Sequence, residues 1–178
     1  MASEVLVLDD FLPEDEFKVF EDFIMGTEFE WYWSDGQAEI PQKDRYMFNH
    51  MFFCHIDGIN SRYYEICRPV MQKLWRSGNK MKVVRIKANL TTQSVTPEGS
   101  GYHTDYKNIT TAIHYINTNN GYTEFKDGGI IESVRNRMII FDSNLFHQGV
   151  SNTDDKRRVV VNYNYETKSI SNRQFLTT

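Results

Sequence analysis

The second half of this sequence is a series of short β-branched or aromatic segments divided by turn-forming residues. The segments cover residues 83–90, 109–116, 123–125, 130–134, 138–141, 146–150 and 159–165. Clusters of Gly, Asn and Asp separate them, as at 119–121, 127–129 and 152–155. Short strands with turns at this spacing are typical of a jelly roll, in which a metal can lie between two sheets. We therefore predict a β core over about residues 82–166.

The first 80 residues show helical periodicity after a short strand at 5–8. Pro13 opens a segment in which Phe17, Phe20 and Ile24 recur at helical spacing. A second helix is predicted over 59–76, with a kink at Pro69, and residues 31–53 are aromatic and irregular. The predicted fold class is α+β, mainly β: a double-stranded β-helix (jelly roll) core with N-terminal helices packed on one sheet. We expect a single domain over residues 1–178, with a helical part to about residue 80.

Composition excludes several classes of protein. The formal net charge of −4 and the pI of about 5.7 leave no general basic field, which argues against a nucleic-acid partner. No basic, apolar leader and no apolar run of about 20 residues is present, so neither secretion nor a membrane partner is expected. Cys54 and Cys67 form no Cys-x-x-Cys pattern, which indicates reduced thiols and a cytoplasmic location. The oligomeric state stays open.

Three residues have the composition of a metal site. His103 and Asp105 are two apart, so on an extended segment their side chains leave the same face. His147 follows the predicted strand 138–141 and could return to them. Two imidazoles and one carboxylate hold non-haem Fe(II) on one face and leave other positions open. A surface His-Asp pair and a hydrogen-bonded histidine remain the alternatives, and three other histidines are expected to be structural or solvent-facing: His50, His55 and His114.

The last predicted strand alternates between an apolar and a polar face. Its first face carries Arg157, Val159, Val161, Tyr163 and Tyr165, and its second carries Arg158, Val160, Asn162 and Asn164. A polar face is unfavourable to bury unless it lines a ligand-holding cavity, so we choose Arg158 over Arg157 as the inward arginine. Its planar guanidinium can bind a carboxylate with two hydrogen bonds. Tyr115 could donate to the same carboxylate, although a core tyrosine fits its position equally well.

Several segments together resemble a known family. They are His103-x-Asp105, 115–117 (Tyr-Ile-Asn), 121–125 (Gly-Tyr-Thr-Glu-Phe), 136–143 (Asn-Arg-Met-Ile-Ile-Phe-Asp-Ser), His147 and Arg158. In this order they are similar to the Fe(II)/2-oxoglutarate-dependent dioxygenases, in particular the prolyl-hydroxylase-like branch and its short members from tailed phages of cyanobacteria. The resemblance covers about residues 83–165. For a phage-encoded chain it would place the protein in the host cytoplasm.

The resemblance implies a chemistry and a role for each matched residue. Fe(II) would be bound by His103, Asp105 and His147, and Asp105 argues against a halogenase, since related halogenating enzymes lack that carboxylate. Arg158 would bind the distal carboxylate of 2-oxoglutarate, assisted by Tyr115. Asn89 lies where some relatives have a further co-substrate contact. Many prolyl hydroxylases place the basic residue nine or ten positions after the second histidine, whereas the choices here are ten and eleven, so Arg157 stays open.

The implied reaction is hydroxylation of a substrate coupled to conversion of 2-oxoglutarate and O2 to succinate and CO2, with ascorbate as a candidate auxiliary reductant. A peptidyl proline or another amino-acid residue is the first guess for the substrate, and a small molecule also fits. Residues 31–53 and 92–101 are candidates for the substrate rim. Two other functions fit the ligand set: a cupin-like Zn or Mn hydrolase or isomerase, and a non-catalytic binding module stabilised by a metal. Dependence on 2-oxoglutarate distinguishes the oxygenase from both of these alternatives.

Overall fold

The computed structural model describes residues 5–35, 46–75 and 80–168. Strands and helices follow one another in the order β1 (Leu6–Leu8), α1 (Glu14–Met25), β2 (Tyr32–Asp35), β3 (Tyr46–Cys54), β4 (Gly58–Ile59), a 3-10 helix (Tyr64–Cys67), α2 (Arg68–Trp75), β5 (Lys80–Thr92), β6 (Thr110–Tyr115), β7 (Asn119–Phe125), β8 (Ile130–Ser133), β9 (Met138–Asp142), β10 (His147–Val150) and β11 (Arg157–Lys168). Each segment predicted as a strand beyond residue 82 overlaps an observed strand. The prediction of a mainly β protein is confirmed.

The strands form two antiparallel sheets. The main sheet has the order β1-β9-β6-β11-β5-β3-β2, with β4 paired to β3, and the smaller sheet has the order β10-β7-β8. Two isolated bridges, Gly99 to Val150 and His103 to His147, attach the segment before β6 to the edge of the smaller sheet. Two antiparallel sheets, in which the neighbours β9-β6-β11-β5 and β10-β7 are not consecutive in sequence, agree with the predicted jelly-roll core.

Both helices pack on the outer face of the main sheet, as predicted. Phe17, Phe20 and Ile24 of α1 are buried in one apolar cluster with Val70 and Leu74 of α2. From the sheet, β5 and β11 contribute alternate residues to the same cluster: Ile86, Ala88, Leu90, Val159, Val161, Tyr163 and Tyr165. Burial of these large side chains is the main favourable term in the docking of the helices.

The second predicted helix is wrong over its first half. Residues 59–67 form the end of β4, a connection and the 3-10 helix, and the α-helix begins only at Arg68. Pro69 is the second residue of α2, where a proline lacks only an N–H that has no partner in the helix, so it begins the helix instead of kinking it.

The N-terminal part is also less helical than predicted. The aromatic stretch that looks irregular in sequence contains β2 and β3, which extend the main sheet beyond β5. In β3, Phe48, His50 and Phe52 face the helices. Met47 faces the opposite side of the sheet.

Neither a disulfide nor a spanning helix is found among the described residues. Cys54 and Cys67 carry free thiols, in agreement with the sequence. Burial raises the pKa of Cys67, which keeps its thiol protonated and unreactive. The helices in the described ranges lack the length and apolar character that crossing a membrane requires.

His114 is a buried histidine enclosed by the rings of α1 and of the loop before it. The rings of Phe11, Phe17 and Phe20 lie 5.7, 5.3 and 5.7 Å from the imidazole centroid. Its Nε2 bonds to Asn136 Oδ1 at 3.2 Å, whereas Nδ1 has no partner. Burial lowers the pKa of His114 to about 4, so this histidine is a neutral core residue, as the sequence leads one to expect.

His114 makes the stability of the protein depend on pH below about 6.5. The unfolded chain gains a proton near the ordinary histidine pKa, but the folded chain gains it only near pH 4. The neutral His114 side chain therefore makes its full contribution to the free energy of unfolding above pH 6.5. This contribution is lost as the pH falls to 4, and the loss amounts to at most about 3 kcal/mol. The free energy of unfolding in urea, measured between pH 4.5 and 7.5, should fall less steeply in His114→Gln than in the wild type. His55→Gln, at an exposed position, is the control, and equal slopes in all three proteins would contradict the assignment.

Candidate metal centre and anion-binding cavity

A cavity of about 690 Å³ lies between the two sheets. Its floor is the face of β5 and β11 that is opposite the helices. The cross-strand pairs on this face are Arg158 with Thr91, Val160 with Asn89, Asn162 with Lys87, and Asn164 with Arg85. The wall comes from β7, from β10 and from the segment that precedes β6. Other lining residues include Ser34, Asp35 and Met47 at β2 and β3, and Ser100 and Tyr102 in the loop. Part of each predicted rim therefore borders the cavity.

The structure brings His103, Asp105 and His147 together in this cavity. One ligand atom from each of the three lies within 4.8 Å of the other two, a group that could hold a metal ion. The backbone N–H of His103 donates to the carbonyl of His147, and the reverse bond is also made, each at 3.0 Å. This two-way backbone pairing holds the two imidazoles side by side, with ring centroids 4.7 Å apart.

Both imidazoles are oriented by their own backbone. His103 Nδ1 lies 3.1 Å from the carbonyl of Gly101, and His147 Nδ1 lies 2.9 Å from that of Leu145. Because a carbonyl only accepts, Nδ1 carries the proton in each ring and Nε2 keeps its lone pair for a metal. Burial lowers the pKa of His147, although the Asp105 carboxylate opposes the shift, so the neutral ligand form is favoured.

Asp105 is held by three donors. Arg85 Nη2 donates to Oδ1 at 3.0 Å, and Thr111 Oγ1 and Asn164 Nδ2 donate to Oδ2 at 2.9 Å each. Burial alone would raise the pKa of this carboxyl group, but the Arg85 charge, His147 and the two hydrogen bonds outweigh it, and the pKa lies below its ordinary value. Two neutral imidazole nitrogens and one ionised carboxylate fit a divalent iron ion.

Sequence reasoning did not find the residues that position Asp105. Arg85, Thr111 and Asn164 come from three neighbouring strands, and Arg85 Nε also donates to Asn164 Oδ1 at 2.9 Å. A signal was available for Arg85. In β5, the polar residues at 85, 87, 89 and 91 alternate with the apolar residues at 84, 86, 88 and 90, the same two-faced pattern that identified Arg158.

Arg158 is a buried cation without an acidic partner among the described residues. Its side chain lines the cavity and is 5% exposed, Nε donates to Ser133 Oγ at 2.8 Å, and Nη2 donates to Thr123 Oγ1 at 3.2 Å. Burial lowers its pKa, which reports how poorly the charge is compensated. Arg157, in contrast, points to the helix side and donates to the carbonyl of Met25 at 2.7 Å. The structure thus places Arg158, the arginine chosen from the alternation, in the cavity.

Tyr115 approaches the cavity only through Thr123. The tyrosine hydroxyl donates to Thr123 Oγ1 at 2.7 Å, the ring lies 5.5 Å below the Arg158 guanidinium, and Tyr115 is absent from the cavity lining. Thr123 lines the cavity and already accepts from both neighbours, which leaves its own O–H free to donate to a ligand. Like Arg85, Thr111 and Asn164, Thr123 is a site residue to which the sequence analysis gave no role. The alternation of buried residues in β7 could have indicated it.

Two further observations concern the end of the cavity near Arg158. Asn89 lines the cavity, as its predicted role requires, and its buried Oδ1 has no hydrogen-bond partner. A Cβ on Gly121 would lie 2.7 Å from Cδ of Arg158 and 2.9 Å from the carbonyl oxygen of Val150. A side chain at 121 would therefore displace the guanidinium, which explains why glycine occupies this position in a strand.

Comparison with known proteins finds similarity in structure alone. No family model and no curated protein matches the sequence. An oxidoreductase of the 2OG-Fe(II) oxygenase family from Burkholderia pseudomallei matches with a TM-score of 0.69 and 8% identity, over 91% of this chain and 84% of that one. A prolyl hydroxylase from Trichoplax adhaerens, solved with a hypoxia-inducible-factor peptide, gives 0.69 and 11%, over 93% and 84%.

The non-heme alpha ketoglutarate dependent epimerase of nogalamycin biosynthesis matches with a TM-score of 0.61 and 11% identity, over 92% of this chain and 77% of that one. The TM-scores show a common fold, and at such low sequence identities they show the fold alone. Proteins with this fold catalyse more than one kind of reaction. The chain is therefore similar in structure to members of the 2OG-Fe(II) oxygenase family, prolyl hydroxylases among them.

Proposed function

We propose that this protein is a Fe(II)- and 2-oxoglutarate-dependent oxygenase that hydroxylates an amino-acid substrate. The observation that carries the proposal is the buried guanidinium of Arg158, which has no anionic partner among the described residues and shares its cavity with the His-Asp-His cluster. An unpaired buried cation is strongly destabilising, and a carboxylate ligand would compensate it. A hydrolytic or purely structural metal site does not require such a group.

The ligand cluster suits the first part of this reaction. His103, Asp105 and His147 would hold Fe(II), and the lowered pKa values of His147 and Asp105 favour the neutral imidazole and the ionised carboxylate that a metal requires. Iron bound there would supply the O2 activation that converts substrate C–H, 2-oxoglutarate and O2 to substrate C–OH, succinate and CO2. Arg85 and Asn164 keep the Asp105 carboxylate oriented, so that the ligand does not reorganise during turnover.

The other end of the cavity suits the co-substrate. Arg158 would bind the distal carboxylate of 2-oxoglutarate with its guanidinium, and the free O–H of Thr123 would add a third donor. Tyr115 would act through Thr123, and Asn89 would offer a further contact from the facing strand. Ascorbate remains a proposed auxiliary reductant.

The cavity is large enough for a substrate beside 2-oxoglutarate. Its volume of about 690 Å³ is in the range of sites that enclose a drug-sized ligand, whereas 2-oxoglutarate has only ten non-hydrogen atoms. A peptidyl proline or another amino-acid residue is the substrate class that we propose, since one similar structure is a prolyl hydroxylase holding a peptide. Hydroxylation is part of the proposal, because the same fold also carries an epimerase.

Removal of a metal ligand tests the reaction. In His103→Ala and Asp105→Ala, release of succinate from 2-oxoglutarate under air should fall at least about 100-fold, because two protein ligands hold iron poorly. Anaerobic titration with Fe(II) should show the matching loss of metal affinity. His55→Ala, an exposed histidine near the cavity, should behave as the wild type. Succinate release that persists in both ligand variants, or metal binding without any use of 2-oxoglutarate by the wild type, would refute the proposal. The second result would fit either the hydrolase or isomerase, or the metal-stabilised binding module.

The two adjacent arginines provide a matched pair for the co-substrate site. Arg158→Ala should weaken 2-oxoglutarate binding about 100-fold, which corresponds to about 2.7 kcal/mol, because a charge-assisted two-bond contact is lost. Arg157→Ala should leave that affinity within about twofold, since the Arg157 side chain donates to the carbonyl of Met25 on the side of the sheet opposite the cavity. Calorimetry with Fe(II)-loaded protein under anaerobic conditions measures both. The opposite ranking would mean that the cavity arginine is not the co-substrate ligand.

Gly121 tests how tightly the guanidinium is positioned. Gly121→Ala should raise KM for 2-oxoglutarate about tenfold with kcat changed less than about threefold, because the added methyl group displaces Arg158 without touching the metal ligands. The unfolding midpoint is measured alongside, to separate displacement from misfolding. An unchanged KM in a folded variant would show that Arg158 does not need its present position.

A further inference from the structure

The cavity contains a second cation without an acidic partner, at Lys87. This residue lies on β5 between Arg85 and Asn89, on the face that forms the cavity floor, and its side chain is part of the lining. Across the described ranges, no carboxylate lies within ion-pair distance of its Nζ, and no hydrogen bond to Nζ is found. The reaction proposed above gives Lys87 no role.

The position of Lys87 is electrostatically unfavourable in the absence of a ligand. Burial lowers the pKa of Lys87 to about 8, and the charge of Arg85 adds to this effect, which the more distant Asp105 offsets only in part. A lysine that contributes repulsion and desolvation to the folded state is expected to be stabilised when an anion binds.

The charges of the cavity leave room for such an anion. Arg85 is compensated by Asp105 at 3.0 Å, and Arg158 would be compensated by the distal carboxylate of 2-oxoglutarate. The carboxylate next to the keto group would bind the metal and offset one of its two charges. Asp35 adds one further negative charge to the lining, which leaves the loaded cavity with a net positive charge while Lys87 has no ion-pair partner among the described residues. The loaded cavity is therefore expected to attract one more negatively charged group.

The neighbours of Lys87 indicate what accompanies that group. Asn162 is its direct cross-strand partner on β11, and cross-strand partners have Cβ atoms about 4.5 to 5.5 Å apart. The Oδ1 atoms of Asn162 and Asn89 are both buried and both lack a hydrogen-bond partner. Buried acceptors of this kind call for a donor. A carboxylate with an N–H donor one carbon away, as in an α-amino acid, would satisfy the lysine and an asparagine together.

We propose that Lys87 binds a second carboxylate in this cavity, namely the free carboxylate of an α-amino-acid substrate. The substrate would then be a free amino acid or a chain-terminal residue, and not a residue inside a peptide. This inference rests on the proposed oxygenase function. It narrows the substrate class from amino-acid residues in general to those with a free carboxylate, and so excludes a proline inside a peptide. The same chemistry could come from a different source, the carboxylate next to the keto group of 2-oxoglutarate, and the experiment below separates the two.

The test compares Lys87→Met with the wild type in two anaerobic titrations of Fe(II)-loaded protein. The first measures the affinity for 2-oxoglutarate by calorimetry. The second measures the thermal shift caused by each of the common L-amino acids, and by its carboxamide, in the presence of 2-oxoglutarate. Lys82→Met is the matched control, because Lys82 lies on the same strand but is exposed and paired with Glu166 at 3.3 Å.

The expected result is a shift by at least one free acid, with none by its amide. Lys87→Met should weaken the binding of that acid at least about tenfold and leave 2-oxoglutarate affinity within about twofold. If instead 2-oxoglutarate affinity falls tenfold, the carboxylate site stands but its carboxylate belongs to the co-substrate, and the substrate assignment fails. If neither affinity depends on Lys87, the proposal is overturned.

Stability supplies an independent readout. Removal of an uncompensated cation should leave the unfolding midpoint of ligand-free Lys87→Met equal to or above that of the wild type. A midpoint several degrees lower would show a structural role and overturn the proposal. Two measurements separate this proposal from the oxygenase proposal: amino-acid titration of metal-free wild type and Lys87→Met, and succinate release by Fe(II)-loaded wild type under air. Acid binding that depends on Lys87 in the first, with no succinate release in the second, would refute the oxygenase and retain the carboxylate site.

Discussion

The pairing of β5 with β11 is the constraint on which the rest of the structure depends. These two central strands run antiparallel over the whole length of β11, from Arg157 to Lys168. Because side chains alternate along a strand, this one pairing separates two environments. One face supplies the apolar residues under the helices, and the other presents Arg85, Lys87 and Arg158 to the cavity. A register slip of one residue would exchange the two faces, so packing of the helices also fixes which charges the cavity contains.

The cavity is therefore positively charged for a structural reason, and its cations differ in how they are compensated. Arg85 is neutralised within the protein by Asp105, and together they form a rigid group with Asn164. Arg158 and Lys87 have no such partner among the described residues. A protein that keeps two uncompensated cations in a partly buried cavity loses stability, which is common where binding requires preorganised charge. Arg85 therefore positions the metal ligand Asp105, whereas Arg158 and Lys87 are the cations that we propose to bind anionic ligands.

Much of this architecture is readable from the sequence, and the failures are instructive. α1, β5 and β7 could be predicted because one buried face sets the periodicity of each. β6 and β9 are buried on both faces and were predicted instead from apolar, β-branched residues between turn-forming segments. Residues 31–53 could not be predicted, since a register shift between Met51 and Phe53 interrupts the period of two in β3, so that Phe52 and Phe53 both join the cluster under the helices. The start of α2 was misplaced because Tyr63 and Ile66 are spaced as in a helix but belong to a 3-10 turn that packs on the same cluster. In each case tertiary packing overrides the local pattern.

What the sequence by itself determined was the chemistry available: two histidines and a carboxylate with metal-ligand spacing, an arginine on the polar face of the last strand, and a jelly roll to carry them. Only the tertiary structure decided which groups act together. The Nδ1–H groups of the two imidazoles donate to carbonyls only two residues earlier, those of Gly101 and Leu145. The donors that hold Asp105, in contrast, lie 20 and 59 positions away in the chain, on Arg85 and Asn164. The missing partners of Arg158 and Lys87 also depend on the tertiary structure, because burial and the distance to the nearest carboxylate arise only when the sheets close around the cavity.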